Sequence, residues 1–361
     1  MKRILLLIDA LSSGGAERQI SYLAIFLKRK GHDVRLMTFY DIECFYETDL
    51  HNAGIKPECD PGSQNILYRI RMIASVVKKW NPDVVVAYKR GASMAACLAK
   101  ALVKFPLIVS ERNTTQALSL IERMKFLTYS VADLIVPNSR SQARFIESHY
   151  PRLSNKTYVV TNMVNTDKFC PKLAQSNEIP IVLTTARIMP QKNIINYLKA
   201  VNIIKQKGIK CHFDWYGNDT GVPEYVEVVK NEMKRLDIAD MISFHKPERN
   251  VQRLYQEADV YCLPSLYEGF PNVICEAMSA GLPIVCSNVC DNPDLVTPGQ
   301  NGYLFLPSNP EDIADKLIKI LRLSNLEKEA MKKANRSKII QMCSPEAFIN
   351  NMETLFDKIC N

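Results

Sequence analysis

Apolar residues in this chain arrive in short unbroken runs, separated by stretches where they recur every third or fourth position. The first run, within residues 3–8, ends at Asp9. A strand that is apolar at consecutive positions suits a parallel sheet covered on both faces. The run feeds Ser12-Ser13-Gly14-Gly15-Ala16-Glu17, and Ile20, Leu23, Ala24 and Leu27 then keep helical spacing. The pattern predicts a strand, a glycine turn and a helix. Strands follow at 34–40, 84–88, 107–110 and 134–138, with helices at 94–103 and 142–149.

A second series begins near Ile181. Strands are predicted at 181–185, 211–216, 242–245, 260–263, 283–287 and 302–306, interleaved with helices at 194–207, 251–257, 272–280 and 310–323. Alternation of this kind implies parallel sheets, so the fold class is α/β: two Rossmann-like, doubly wound domains facing across an interdomain cleft. The expected domains are 1–170 and 171–344, divided in the aperiodic polar stretch 169–178. Residues 345–361 form an amphipathic helix able to pack against either domain, the N-terminal one being the candidate. No internal repeat or low-complexity tract interrupts the series.

Composition narrows the class. Among 361 residues, 47% are hydrophobic and 23% charged, which excludes collagen-like and wholly disordered chains. No segment offers the roughly 18 uncharged apolar residues of a spanning helix. The opening run resembles a signal peptide, but Asp9 ends it early and no cleavage site follows, so it reads as a buried strand. Eleven cysteines without a C-x-x-C pair read as free thiols of a reducing cytoplasm, and five scattered histidines predict no metal site. Charge is unevenly placed: 24 Lys and Arg stand against 15 Asp and Glu up to residue 170, and 22 against 23 beyond it. The cations lie too far apart for a nucleic-acid surface. Peripheral contact with an anionic membrane fits better, with Lys2, Arg3, Arg69, Arg71, Lys78, Lys79 and Arg90 as candidates.

Open α/β sheets bind ligands beyond the C-terminal ends of their strands. Three segments fall there. Tyr267-Glu268-Gly269-Phe270-Pro271-Asn272-Val273 follows the predicted strand 260–263, with Glu276 about one turn into the next helix. Its carboxylates suit sugar hydroxyls, and the helix N-terminus suits phosphate. Acidic residues are also favourable at a helix start on their own account. Arg187-Ile188-Met189-Pro190-Gln191-Lys192 carries two cations with no acid between them, able to converge on one diphosphate or simply to face solvent. Gly14 and Gly15 permit close backbone approach to a ligand, without the spacing of a dinucleotide fingerprint or a P-loop.

Taken together, Gly14-Gly15-Ala16-Glu17, Arg187 with Lys192, and Glu268-Gly269-Phe270-Pro271-Asn272 through Glu276, Gly281 and Pro283-Ile284-Val285 resemble the GT4 family of retaining glycosyltransferases with the GT-B fold. Asn301-Gly302-Tyr303-Leu304-Phe305 is similar to the same family's C-terminal pattern. The resemblance covers essentially the whole chain. It implies a nucleotide-sugar donor held mainly by the C-terminal domain, with Arg187 and Lys192 neutralising the diphosphate. Glu276 would bind ribose hydroxyls and Glu268 the donor sugar. The backbone at Phe270, Pro271, Asn272 and Val273 would position sugar and phosphate, the base would lie near His245 and Lys246, and Gly217 would approach the donor. Gly14 and Gly15 would face donor or acceptor from the N-terminal domain.

Where many relatives carry a histidine, this chain reads Ser110-Glu111-Arg112-Asn113-Thr114. Glu111, Arg112 and Asn113 are therefore candidate acceptor or sugar contacts, with an internal ion pair of Glu111 to Arg112 or another residue as the competing reading. The resemblance implies a hexosyltransferase that needs neither cofactor nor metal. It would act on a glycan or lipid-diphosphate-linked sugar in cell-surface polysaccharide synthesis, at the cytoplasmic face of the inner membrane. A nucleotide-sugar epimerase of the same architecture and a non-catalytic nucleotide-sugar binder are the alternatives.

Overall fold

The computed structural model describes residues 1–60, 65–112, 114–115, 117–172, 177–219 and 222–360. The chain divides into two compact units. One holds Met1–Met163 and the helix Pro345–Cys360; the other holds Val164–Ser344.

In the first unit the strands are β1 (Arg3–Ile8), β2 (Asp33–Thr38), β3 (Glu58–Cys59), β4 (Val84–Tyr88), β5 (Leu107–Glu111) and β6 (Leu134–Pro137). They form one parallel sheet in the order β3-β2-β1-β4-β5-β6. The continuous apolar runs have the cause expected of them. Ile4, Leu6 and Ile8 enter the core on one face, and Leu5 and Leu7 enter the core on the other. The second unit repeats the plan with β7 (Ile181–Thr185), β8 (His212–Tyr216), β9 (Ile242–His245), β10 (Val260–Leu263), β11 (Ile284–Ser287) and β12 (Gly302–Phe305), in the order β12-β11-β10-β7-β8-β9. In each sheet the order of strand addition reverses once, between β1 and β4 and between β7 and β10. A crevice opens beyond the strand ends at such a point.

The division falls at Met163/Val164, earlier than the polar stretch suggested. Val164 and Phe169 are buried in the second unit's core, and Arg336 donates to the carbonyls of Thr166 (2.8 Å), Phe169 (2.9 Å) and Ser279 (2.8 Å). Apolar anchoring and a guanidinium clamp therefore assign residues 164–169 to the second unit. The helix Pro345–Cys360 places Phe348, Ile349, Met352 and Phe356 in the same core as Ile20, Leu23 and Leu27 of the helix Gly15–Arg29.

Helices outside the sequence expectation include the short Glu47–Asn52 and Asn292–Leu295 and the longer Ile66–Trp80, Leu120–Tyr129, Pro223–Leu236 and Asn325–Cys343. The last is mostly polar and buries one residue per turn, Met331, Asn335, Ile339 and Cys343. Its start is nonetheless written in the sequence, because Ser324 and Glu327 form a capping box. None of the helices among the described residues is long and apolar enough to cross a membrane.

Asn335 is fully buried. Its amide donates to the Leu282 and Asn301 carbonyls, both at 2.8 Å, and its oxygen accepts from the Asn301 side chain at 3.0 Å. Asn335→Ala leaves these buried acceptors unmade, and urea unfolding of the second unit is expected to show a loss of about 2–3 kcal/mol.

Candidate functional site

At the second unit's switch point, the loops after β7 and β10 lie side by side because their strands are neighbours. They are joined by backbone as well as side chains. The Leu266 N–H donates to the Gln191 carbonyl (2.9 Å), and the Gln191 amide donates to the Tyr267 carbonyl (2.6 Å). Asn193 takes a left-handed conformation, φ 57°, as the chain turns from the 3-10 segment Pro190–Lys192 into the helix Ile194–Gln206. Its amide donates to the carbonyls of Pro264 (3.0 Å) and Pro307 (2.6 Å). This scaffold delivers Lys192 to Glu268: Nζ lies 2.5 Å from Oε1, each side chain being only 12% exposed. The Glu268 N–H also donates to Cys290 Sγ at 3.4 Å. Arg187, in the same loop as Lys192, is exposed and makes no ion pair among the described residues.

Glu276 sits on the helix Asn272–Ser279, 5% exposed. Its Oε2 accepts from the Tyr255 hydroxyl (3.2 Å), which meets Thr185 Oγ1 (2.8 Å), which meets the Tyr261 hydroxyl (3.0 Å). Burial, with the nearby Glu276 charge adding to it, pushes both phenols well above their ordinary range, so they remain neutral hydrogen-bonding groups at any working pH. Thr185 ends β7, so this buried chain ties Glu276 to the loop that carries Arg187. At the same helix start, Phe270 and Pro271 are buried and Asn272 and Val273 half-buried. The N–H of Asn272 already bonds the Phe270 carbonyl (3.0 Å), and that of Ile274 bonds Pro271 (3.0 Å).

Gly217 is required by close approach. A Cβ there would lie 1.8 Å from the Ala186 carbonyl oxygen and 3.3 Å from Arg187 Cα. Beyond it, His245 stacks on Tyr216 with centroids 4.3 Å apart, and its Nε2 lies 2.6 Å from Asp214 Oδ1. Lys246 is exposed.

In the first unit, Gly14 precedes the helix Gly15–Arg29, and a Cβ there would meet the Glu17 carboxylate at 2.2 Å. Glu17 is buried, accepts from Ser12 Oγ (3.0 Å) and is ion-paired with Lys89. Lys89 follows β4 with φ 68°. Beside it, Asp9, Tyr40, Arg69, Lys89, Arg90 and Glu122 line a polar depression of about 560 Å³. Burial raises the Asp9 carboxyl above its usual range, against the lowering effect of Arg69 and Lys89. Glu111, also buried, pairs with Lys125 (2.9 Å) and not with Arg112. Arg112 donates to Ser110 Oγ (2.7 Å), Asn162 Oδ1 (2.8 Å) and the Tyr88 hydroxyl (2.9 Å). Glu111 thus forms the internal ion pair that was the competing reading, with Lys125 as its partner, and Arg112 is held by polar groups of the same unit. Asn113 lies outside the described residues.

Residues 13–168 match the family described as Glycosyltransferase Family 4, and residues 165–338 match Glycosyl transferases group 1. The chain belongs to the family 4 glycosyltransferases. It is 25% identical over 352 residues to the GalNAc-alpha-(1->4)-GalNAc-alpha-(1->3)-diNAcBac-PP-undecaprenol alpha-1,4-N-acetyl-D-galactosaminyltransferase of Campylobacter jejuni, covering 93% of each chain. It is 24% identical to the amylovoran biosynthesis glycosyltransferase AmsD of Erwinia amylovora, covering 91% of this chain and 92% of that one. The solved structure of Anabaena Alr3699/HepE in complex with UDP and glucose superposes with a TM-score of 0.82 at 18% identity, covering 99% of this chain and 100% of that one. The fold of this glycosyltransferase is GT-B.

Sequence reasoning missed the tyrosine–threonine chain behind Glu276 and the Asp9–Arg69 and Glu17–Lys89 pairs in this glycosyltransferase. Their partners are distant in sequence; Glu17 and Lys89 are 72 positions apart. Gly217→Ala must displace the Ala186–Arg187 backbone. It is expected to weaken binding of a nucleoside diphosphate at least tenfold by isothermal titration, while circular dichroism stays that of a folded protein.

Proposed function

We propose that this glycosyltransferase moves a hexosyl group from a nucleotide sugar to a glycan or a lipid-diphosphate-linked sugar in cell-surface polysaccharide synthesis. Retention at the anomeric carbon and independence of metal are part of the reading. The observation that carries it is the Lys192–Glu268 pair, 2.5 Å apart beyond the adjacent ends of β7 and β10, with Arg187 exposed in the same loop. An ammonium has three donors, so Lys192 can hold Glu268 and still turn an N–H towards a phosphoryl oxygen.

Transfer breaks the bond between the anomeric carbon and the donor phosphate oxygen as the acceptor hydroxyl oxygen bonds that carbon. Negative charge grows on the departing diphosphate, and the acceptor's hydroxyl proton passes to the diphosphate oxygen that leaves. Cations fixed in advance stabilise that charge more in the transition state than in the ground state. Arg187 and Lys192 take this role. Glu268, held by Lys192, accepts from donor-sugar hydroxyls. Glu276, oriented by Tyr255, accepts from ribose hydroxyls, and Gly217 leaves room at the loop that carries Arg187. The structure of HepE with UDP and glucose makes a UDP-hexose the first donor to try. The lipid-linked acceptor is supported by the Campylobacter relative, whose name carries PP-undecaprenol; the proposed place of reaction is the cytoplasmic face of the inner membrane. Family membership supports retention.

Arg187→Ala and Lys192→Ala are each expected to lower kcat by about 10²–10³ with the fold unchanged. A wild-type rate in either variant overturns the assignment of the diphosphate site. Turnover is expected to continue in EDTA; activity lost there and restored by magnesium overturns metal independence. Proton NMR of the first product formed reads the anomeric configuration directly.

A further inference from the structure

Glu268 stands on the central loop of three. Strands β11, β10 and β7 are consecutive neighbours in the second sheet, so the loops that leave them run side by side at the strand ends. From the β7 side, Lys192 takes the Glu268 carboxylate. From the β11 side, Cys290 takes its backbone: the Glu268 N–H donates to Sγ at 3.4 Å. Side chain and main chain of one residue are thus tied to two different loops, the partners lying 76 positions before it and 22 after it.

The backbone of Cys290 is strained where it makes this contact. Its φ is 50°, in the left-handed region. Among the described residues, five other than glycine have positive φ. Asn81, Asn193 and Asp237 are of the kinds that tolerate it, whereas Lys89 and Cys290 are not. A glycine would take the same turn without strain. The turn persists with a cysteine because its flanks are held. The Asn288 N–H donates to the Phe305 carbonyl (2.8 Å), the Asn292 N–H to that of Val289 (3.0 Å), and the buried Asn292 side chain to that of Ser287 (2.9 Å). These bonds fix where residue 290 stands, and its side chain spans to the neighbouring loop. Strain kept at the mouth of a ligand crevice points to a task for the residue that bears it.

We propose that Cys290 is a positioning residue for sugar transfer, its sulfur holding the Glu268 main chain so that the carboxylate meets the donor sugar in a fixed place. The inference rests on the transferase reading, in which Glu268 accepts from sugar hydroxyls. Both partners of the Lys192–Glu268 pair sit on flexible stems, so the ion pair by itself lets the two swing together. Gly269 follows immediately and makes the peptide at Glu268 easy to turn. The bond to Sγ fixes the backbone beneath the carboxylate and removes the hinge of that motion. Sulfur is a weak acceptor, so the contact supplies alignment more than stability. Cys290 acts through Glu268 and need touch no substrate.

Three substitutions in the full chain separate alignment from folding. Cys290→Ala keeps the backbone strain and removes the acceptor, Cys290→Gly removes both, and Cys290→Ser keeps an acceptor. Alanine and glycine are each expected to lower kcat for transfer from UDP-glucose about fivefold, the scale of one weak hydrogen bond, while serine stays within about twofold of the wild type. Thermal unfolding is expected to rank differently, with Cys290→Gly above Cys290→Ala because the strain is relieved. Hydrogen exchange of residues 264–271, read by mass spectrometry without any substrate, is expected to be faster in Cys290→Ala and unchanged in Cys290→Ser. Wild-type turnover in Cys290→Ala, equal exchange of that loop in all the proteins, or a rate that follows the unfolding temperature instead of the acceptor overturns the proposal. Exchange that responds as expected in a wild type that transfers no sugar leaves Cys290 holding Glu268 and counts against the transferase reading alone.

Discussion

The 2.5 Å contact between Lys192 and Glu268 is where the second unit's topology becomes chemistry. The two residues are 76 positions apart and meet only because β10 is laid down on the opposite side of β7 from β8. That reversal makes the two loops neighbours and leaves room above the sheet for a ligand. A largely buried ion pair gives little net stability once desolvation is counted. Its use is orientation, holding a carboxylate and an ammonium together at the strand ends, at the mouth of the crevice.

The first unit uses the same reversal differently. Between β1 and β4, the Glu17–Lys89 and Asp9–Arg69 pairs occupy the strand ends with charges that largely balance one another. Arg112 spends its donors on Ser110, Asn162 and Tyr88. The fixed, satisfied network in this unit contrasts with the exposed guanidinium of Arg187 in the other.

The sheets were legible in the sequence because strands buried on both faces must be apolar at successive positions, and the runs at residues 4–8, 84–87 and 107–109 obey that rule. The polar helix Asn325–Cys343 escaped because one buried residue per turn leaves almost no periodic signal, although its capping box was there to read. The loops bearing Arg187, Lys192, Glu268 and Gly217 were found from their place after strands and from family resemblance. What they touch was not readable. The partner of Glu111 proved to be Lys125, from a helix that periodicity had not shown. Glu276 was recognised as a carboxylate near a helix start, while Tyr255, Thr185 and Tyr261 behind it come from other elements that only the folded chain brings together.

The helix Pro345–Cys360 completes the core of a unit whose other residues are all synthesised before Val164. During translation, the groove along the helix Gly15–Arg29 that receives Phe348, Ile349, Met352 and Phe356 stays bare while the entire second unit is made. The second unit is contiguous in the chain and can close as soon as it leaves the ribosome. The first unit has the opposite order of completion, its earliest residues waiting for the last helix of the chain.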